Sequence, residues 1–240
     1  MFKTLKRVLY DSSKIDHNNK LFSNKALGVL LLPIIIEQLL NSFMGMADTM
    51  MVSNVGSTAI SAVALVDSIN ILVIQVFSAM ATGAAIICSQ FLGRGDEERT
   101  NKAARQVVLT MMVISIILML LLVGCRNGLL SFVFGKVEPE VMSNAQVYFL
   151  ITVLSYPFIA LFNAGAAFYR AGGNSKFPMK IAVISNLLNI LGNTILIFGF
   201  DMGVAGAALS TLISRIFSCV IVFIFFASPN NLLYSMRIVK

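Results

Sequence analysis

The chain alternates between long apolar stretches and shorter polar ones. Six apolar stretches approach or exceed the roughly 20 residues that an α-helix needs to cross the hydrocarbon core of a bilayer. A transmembrane barrel would instead show short segments of alternating polarity. The pattern therefore predicts an all-α integral membrane protein, folded as a bundle of six transmembrane helices. The predicted spans cover residues 26–54, 58–92, 106–124, 144–168, 179–200 and 204–227.

Polar segments separate and flank these spans. Residues 1–25 are basic and carry a few apolar side chains, which suits either an amphipathic surface helix or a disordered tail. Residues 93–105 are charged and are expected to form a hydrophilic loop, and residues 228–240 are polar. The expected organisation is a cytoplasmic segment at 1–25, a six-helix transmembrane lobe at 26–227 and a cytoplasmic tail at 228–240.

The basic residues lie mostly on one side of the predicted membrane. Of the 18 Lys and Arg residues, 15 fall in the two tails and in the second-to-third and fourth-to-fifth connections. Lys and Arg accumulate in cytoplasmic loops, so both termini are expected in the cytoplasm. The same placement argues against reading the net charge of +7 as a nucleic-acid-binding surface.

Few residues of the kinds that support catalysis or metal binding are present. The chain has one histidine, His17, and three scattered cysteines without ligand spacing. It has neither a phosphate-binding lysine motif nor a nucleophile elbow. With 58% hydrophobic and 12% charged residues, it is also too apolar for a soluble enzyme. We expect no enzymatic activity, no metal site and no cofactor.

Two acids interrupt the first apolar stretch. Glu37, Asn41, Met44 and Asp48 fall within about 60° of one another on a helix, because their spacing nearly completes whole turns. A carboxylate at bilayer depth costs at least a few kcal/mol, so each acid is a candidate functional residue. The alternative is that each is a neutral, hydrogen-bonded packing residue. The two carboxylates lie roughly 16 Å apart along the axis, so separate roles are expected.

The fifth span carries three asparagines on one stripe, Asn186, Asn189 and Asn193. Asp48 and Asn193 fall at a similar depth, about two-thirds of the way across the membrane. A carboxylate and amide oxygens at that depth can bind Na⁺, or the carboxyl can exchange a proton with a water-filled cavity. For Asn186, hydrogen bonding between helices remains an equally good interpretation.

The remaining intramembrane charges are Asp67 in the second span and Arg215 near the middle of the sixth. A buried guanidinium without a partner is costly, so Arg215 is expected to pair with an acid or with a row of carbonyls. Glu37 and Asp67 are the acids that can serve. Glu37, Asn41, Asp67, Asn186 and Arg215 are therefore candidates for substrate contact or for relaying charge.

Five segments, in order, resemble the N-terminal half of a multidrug and toxic compound extrusion (MATE) transporter. The resemblance covers about residues 27–226, and its motifs are specific as a set although each alone is weak. The segments read LPIIIEQLLNSFMGMADTMMVSNVGSTAISAV, QFLGRGDEERTNKAARQ, FYRAGGNSKFPM, ISNLLN and GVAGAALSTLISR.

The resemblance implies a secondary active exporter in the plasma membrane, with alternating access between two pseudo-symmetric lobes. Small molecules, often amphipathic cations, would leave in exchange for Na⁺ or H⁺. The family's first-span acid matches Asp48, which with Asn189 and Asn193 is the expected ion- or proton-coupling group. Many members carry Asp-Pro where this chain has Asn193-Thr194, and this departure removes one titratable group.

The chain is about half as long as a two-lobe transporter of this kind. Residues 228–240 resemble the start of the connector between lobes, so the expected partners are membrane lipids and a second six-helix lobe, from a longer chain or a dimer. A fragment is the favoured interpretation. The alternatives are a lobe of a flippase for lipids or lipid-linked sugars, whose cavity is expected to carry several Arg and Lys, and an inactive half-protein.

Overall fold

A computed structural model describes residues 24–135 and 137–227, with side chains described over 27–135 and 137–224. The predicted cytoplasmic tail at 228–240, and the predicted N-terminal segment as far as residue 23, lie outside these residues. Within them the fold is all helical. The helices are α1 (Asn24–Val52), α2 (Ser57–Gly93), α3 (Glu97–Gly124), α4 (Arg126–Phe134), α5 (Pro139–Leu154), α6 (Tyr156–Ala171), α7 (Lys176–Asn193), a π-helical segment (Thr194–Gly199) and α8 (Gly203–Ala227).

Five of these elements are long and apolar enough to cross a membrane, namely α1, α2, α3, α7 with its π-helical extension, and α8. Helices α5 and α6 pass the same test only together, and they bend by 42° at a short break. Among the described residues, five helices could therefore span a membrane, or six if the bent pair is one span. The sixth span and the cytoplasmic placement of the termini stay predictions.

The break between α5 and α6 falls at Ser155, inside the predicted span at 144–168. Pro157 occupies the first turn of α6. A proline has no backbone N–H to donate to the preceding turn, and its ring collides with the carbonyl four residues earlier, so α5 ends at Leu154. The backbone N–H of Ser155 instead bonds the carbonyl of Thr152 at 3.0 Å. The bend places a polar residue at the middle of an apolar segment.

The prediction of a hydrophilic loop over residues 93–105 was wrong for most of that stretch. Helix α3 begins at Glu97, so only residues 94–96 connect α2 to α3. Asp96 caps the new helix by accepting a hydrogen bond from the backbone N–H of Arg99 at 3.0 Å. Lys102 and Glu98 form an ion pair one turn apart, at 2.8 Å. High charge therefore marks a solvent-facing extension of the helix rather than a loop.

Small side chains allow the helices to approach closely around α8. A Cβ atom added at Gly165 of α6 would collide with Cγ1 of Val222, and one at Gly192 of α7 would collide with Oγ of Ser210. Lipid tails are as apolar as the helix surfaces, so the hydrophobic effect does not drive helices together in a membrane. Close packing of this kind therefore supplies much of the association energy. Large apolar side chains lie on the outside, as expected for a surface that faces lipid. They include Leu32, Phe43, Leu72, Leu109, Leu120 and Ile224.

We expect Gly165→Ala to lower the melting temperature of the purified protein in detergent by several degrees. The new methyl group meets a buried valine whose side chain has one preferred rotamer in a helix, so relief requires the helices to separate, at about 1–3 kcal/mol. Gly83→Ala is the matched control, because nothing lies within 4 Å of a Cβ atom at that position of α2. Equal melting temperatures for the two variants would contradict the packing between α6 and α8.

Candidate functional site

A cavity of about 350 Å³ lies between α1, α2, α5, α6, α7 and α8. This volume falls within the usual range of small-molecule sites. Its walls combine isoleucines with an unusual number of polar groups for a membrane interior. The charged side chains on the wall are Glu37, Asp48, Asp67, Arg170 and Arg215.

Helix α1 supplies one polar face of the cavity. Glu37, Asn41, Met44 and Asp48 all line it, as their helical spacing predicted. Glu37 and Asp48 are 3% and 4% exposed. Helix α1 runs through Pro33 and remains α-helical to Val52, so the spacing between the two acids is that of a regular helix.

Asp48 is held by donors from two other helices. Asn193, at the end of α7, donates its side-chain N–H to Oδ1, and Thr211 of α8 donates its hydroxyl to Oδ2 at 3.3 Å. Asn193 is 0% exposed. A carboxylate taken out of water needs such partners, since burial without hydrogen bonds costs several kcal/mol. Three helices therefore meet at this side chain.

Asn189 completes a ring of hydrogen bonds around the carboxylate. Its amide donates to the hydroxyl of Thr211 at 3.2 Å, and its side-chain oxygen accepts from Asn193 at 3.5 Å. Ser210 donates to the backbone carbonyl of Asn189 at 2.7 Å. One acceptor of the ring, Oδ1 of Asn193, is buried without a hydrogen-bond partner in the described structure. We call Asp48, Asn189, Asn193 and Thr211 the Asp48 ring.

The backbone of α7 changes immediately after the ring. A π-helical segment, Thr194–Gly199, follows Asn193, and the N–H of Phe200 bonds the carbonyl of Ile195 at 3.0 Å. Single π-helical turns inside α-helices often mark functional sites. Here the wider turn begins at the residue that follows the ring.

Asn186 lies in the cavity but outside the Asp48 ring. Its side-chain amide donates to the carbonyl of Ala182 in its own helix, at 2.8 Å. The nearby bond between helices comes from Ser185, whose hydroxyl donates to the carbonyl of Ser214 at 3.1 Å. The asparagine stripe thus brings two of its three members together with Asp48. Thr211 was missed, although the small and hydroxyl residues of GVAGAALSTLISR were a signal of close helix contact.

A second polar cluster surrounds Asp67. Its Oδ1 accepts from the amide of Asn70 at 3.1 Å and from the hydroxyl of Tyr148 at 3.2 Å. The hydroxyl of Tyr156 donates to Oδ1 of Asn70 at 2.8 Å. Sequence reasoning missed both partners of Asp67 and the bond between Tyr156 and Asn70. The spacing of Asp67 and Asn70 by three residues was visible, but nothing in the sequence tied the two tyrosines to α2.

Arg215 was expected to pair with an acid, for which Glu37 and Asp67 could serve, or with a row of carbonyls, and among the described side chains it forms an ion pair with neither acid. Glu37 pairs instead with Arg170, whose Nη1 donates to both carboxylate oxygens at 3.0 and 2.9 Å. Arg170 belongs to the last turn of α6 rather than to a loop, which brings it within reach of α1. Nη1 of Arg215 donates to the hydroxyl oxygen of Ser155 at 2.6 Å. Among the described side chains Arg215 has no acid within ion-pair distance.

Comparison with known proteins finds similarity over most of the chain. A protein-family model described as MatE matches residues 33–195. The uncharacterized transporter YisQ of Bacillus subtilis is 35% identical over 189 residues, which cover 77% of this chain and 41% of YisQ. The probable multidrug resistance protein NorM of Thermotoga maritima is 29% identical over 195 residues, which cover 80% of this chain and 42% of NorM. The chain thus spans less than half the length of these relatives.

Solved structures show the same fold. A multidrug resistance MATE family transporter in an outward-facing conformation superposes with a TM-score of 0.81 at 21% identity, over 86% of this chain and 46% of that one. A MATE structure in a bent conformation gives a TM-score of 0.81 at 22% identity, over 87% and 46%. At this identity the likeness establishes the fold alone.

We expect Thr211→Val to lower the melting temperature of the protein by several degrees. The change keeps the shape of the side chain but removes the donor to Asp48 and the acceptor for Asn189, and a buried polar group left unpaired costs about 1–3 kcal/mol. Thr82→Val is the matched control, since the hydroxyl of Thr82 bonds only the exposed turn of its own helix. If both variants melt at the wild-type temperature, the ring contributes nothing to stability.

Proposed function

Because the chain belongs to the MatE family, whose members are transporters rather than enzymes, we propose that it is the N-terminal lobe of a secondary active multidrug efflux antiporter. The family confirms the expectation that the chain is not an enzyme. The lobe exports amphipathic and often cationic small molecules across the plasma membrane, in exchange for Na⁺ or H⁺. The description of the relative NorM as a probable multidrug resistance protein supports the multidrug part of this proposal.

The observation that carries this proposal is the Asp48 ring within the central cavity. Asp48 provides two carboxylate oxygens, and the side-chain oxygens of Asn189, Asn193 and Thr211 lie around it. Hard oxygen donors of this kind suit Na⁺. The unpartnered Oδ1 of Asn193 is a further acceptor that a bound cation would satisfy. Asp48 thus carries the coupling ion, and we favour Na⁺ over a proton because the ring contains one titratable group.

The second lobe is supplied by the rest of a longer chain or by a partner copy. Alternating access requires two bodies that rock about a shared site, and the helices described here form one of them. The match to less than half of each relative supports the first arrangement. Sequencing the gene beyond codon 240 distinguishes it from a natural half-protein.

A flippase for lipids or lipid-linked sugars is the competing function. Binding a pyrophosphate would require several basic side chains free to contact it. The cavity has two guanidinium groups, and that of Arg170 is engaged by Glu37 in a charge-assisted bond. One remaining arginine is a weak basis for a pyrophosphate site, so drug-type efflux is favoured.

We expect Asp48→Asn to reduce cation-driven efflux to the level of vesicles without protein, because the variant keeps the shape of the side chain but loses the charge and one of the two acceptor oxygens. The measurement is dye efflux from proteoliposomes that contain the full-length protein, normalised to the amount of inserted protein. Normal efflux from a well-folded Asp48→Asn protein would overturn the assignment.

We expect Glu37→Gln to reduce efflux less than Asp48→Asn does. Glu37 contacts Arg170 rather than the Asp48 ring, so its loss disturbs the link between α1 and α6 and leaves the ion ligands in place. The two variants are compared in the same vesicles. Complete loss in Glu37→Gln, with normal protein folding, would reverse the order of the two acids.

We expect an inward Na⁺ gradient to drive efflux at constant pH, because the ring offers oxygen ligands without a second acid. Na⁺ and pH gradients are imposed separately across the vesicle membrane, and dye efflux is recorded for each. Efflux driven by a pH gradient in Na⁺-free medium, and unchanged by added Na⁺, would contradict the preference for Na⁺ and leave Asp48 as a proton carrier.

A further inference from the structure

The charges around the cavity do not cancel in pairs. Glu37 and Arg170 neutralise each other at 2.9 Å. Asp48, Asp67 and Arg215 remain, and among the described side chains none of the three has an oppositely charged partner within ion-pair distance. The cavity therefore presents two carboxylates and one guanidinium to whatever enters it.

The two carboxylates have more hydrogen-bond partners than the guanidinium of Arg215. Asp48 accepts from Asn193 and Thr211, and Asp67 accepts from Asn70 and Tyr148. All four donors are neutral groups. They satisfy the carboxylate oxygens by hydrogen bonding but leave the negative charge of each acid uncompensated, so each acid can still attract a cation.

Arg215 contacts one recorded acceptor, the hydroxyl oxygen of Ser155 at 2.6 Å. The hydroxyl of Ser155 donates a hydrogen bond to the carbonyl of Thr152, which fixes the serine at the break between α5 and α6. A guanidinium has five N–H donors arranged as a fork that fits a carboxylate with two parallel hydrogen bonds. Most of these donors have no protein acceptor recorded in the described structure, and the side chain borders the cavity.

From this arrangement we propose that Arg215 binds the carboxylate of zwitterionic amphipathic substrates, whose cationic centre is drawn to Asp48 and Asp67. This assignment rests on the efflux function proposed above and specifies a substrate class for the same cavity. Ile71, Ile74 and Phe162 supply apolar wall for the body of such a molecule. Since the cavity holds charges of both signs, it matches a molecule with both better than a simple cation.

The alternative role for Arg215 is an internal counter-ion that offsets Asp67 and Asp48 across the cavity. The two roles predict different effects of removing the charge. If Arg215 binds the substrate carboxylate, neutralising Arg215 weakens binding of a substrate with a carboxylate, whereas a purely cationic substrate gains attraction because a repelling charge is gone. An internal counter-ion would instead affect both substrates alike. A matched pair of substrates that differ only in the carboxylate therefore separates the two roles.

Rhodamine B and its ethyl ester form such a pair, because esterification removes the negative charge and leaves the cationic ring system unchanged. Binding of each dye to the full-length protein in detergent is measured by fluorescence anisotropy, and export of each is measured in proteoliposomes. The proteins are wild type, Arg215→Gln, Arg215→Lys and the control Arg105→Gln, which removes an exposed arginine of α3 outside the cavity.

We expect Arg215→Gln to weaken binding of rhodamine B by about tenfold, the scale of one charge-assisted hydrogen bond. The ester should bind as tightly as to wild type or more tightly. Arg215→Lys should weaken binding of rhodamine B by an intermediate amount, because lysine keeps the positive charge but lacks the paired N–H donors of the guanidinium. Arg105→Gln should match wild type for both dyes. If Arg215→Gln still binds the dyes, an equal change for the two, or no change for either, would overturn the proposal.

If Arg215→Gln fails to bind both dyes, Arg215→Lys decides the question. Selective weakening of rhodamine B in that variant supports the proposal, and loss or retention of both dyes contradicts it. Failure of the wild-type protein to export either dye while it binds both would count against the efflux function rather than against the carboxylate site. Wild-type binding that favours the ester over the free acid would count against the carboxylate site alone.

Discussion

The structure depends on the burial of one carboxylate in a membrane interior. Asp48 is 4% exposed on a helix that is long and apolar enough to cross a membrane, and an unsatisfied charge buried there would cost several kcal/mol. Its two oxygens are satisfied from α7 and α8, so α1 can dock in one rotation only. Gly192 and Ser210 let α7 and α8 approach closely enough for Asn193 and Thr211 to reach the same side chain.

Other polar groups follow the same rule, because a buried polar group is costly unless it finds a partner inside the bundle or faces the cavity. Tyr148 and Tyr156, on either side of the break at Ser155, reach Asp67 and Asn70 of α2. Arg170 reaches Glu37 from the end of α6. Large apolar side chains lie on the outer surface, and many of the buried polar groups line the cavity. In the proposed function, this arrangement gives the coupling ion and the substrate a shared binding volume.

The helical periodicity of the sequence predicted which residues share a helix face, but it did not predict their hydrogen-bond partners on other helices. The spacing of Glu37 and Asp48 placed both on the cavity wall, and the stripe of Asn189 and Asn193 was correctly expected near Asp48. Periodicity gives no information on how two helices are rotated against each other, so it did not identify Tyr148 as a partner of Asp67 or Ser155 as a partner of Arg215. The helical start at Glu97 was missed because charge was read as a loop, although the capping residue Asp96 was visible in the sequence.

Infrared difference spectroscopy on the full-length protein tests most directly whether Asp48 carries the coupling cation, because it reports on carboxyl groups whether the cation is Na⁺ or a proton. Spectra of wild type, Asp48→Asn and Asp67→Asn are recorded as Na⁺ is added at constant pH, and as pH is changed without Na⁺. The account predicts a cation-dependent carboxyl band in wild type and in Asp67→Asn that is absent from Asp48→Asn. The same band in Asp48→Asn would contradict it.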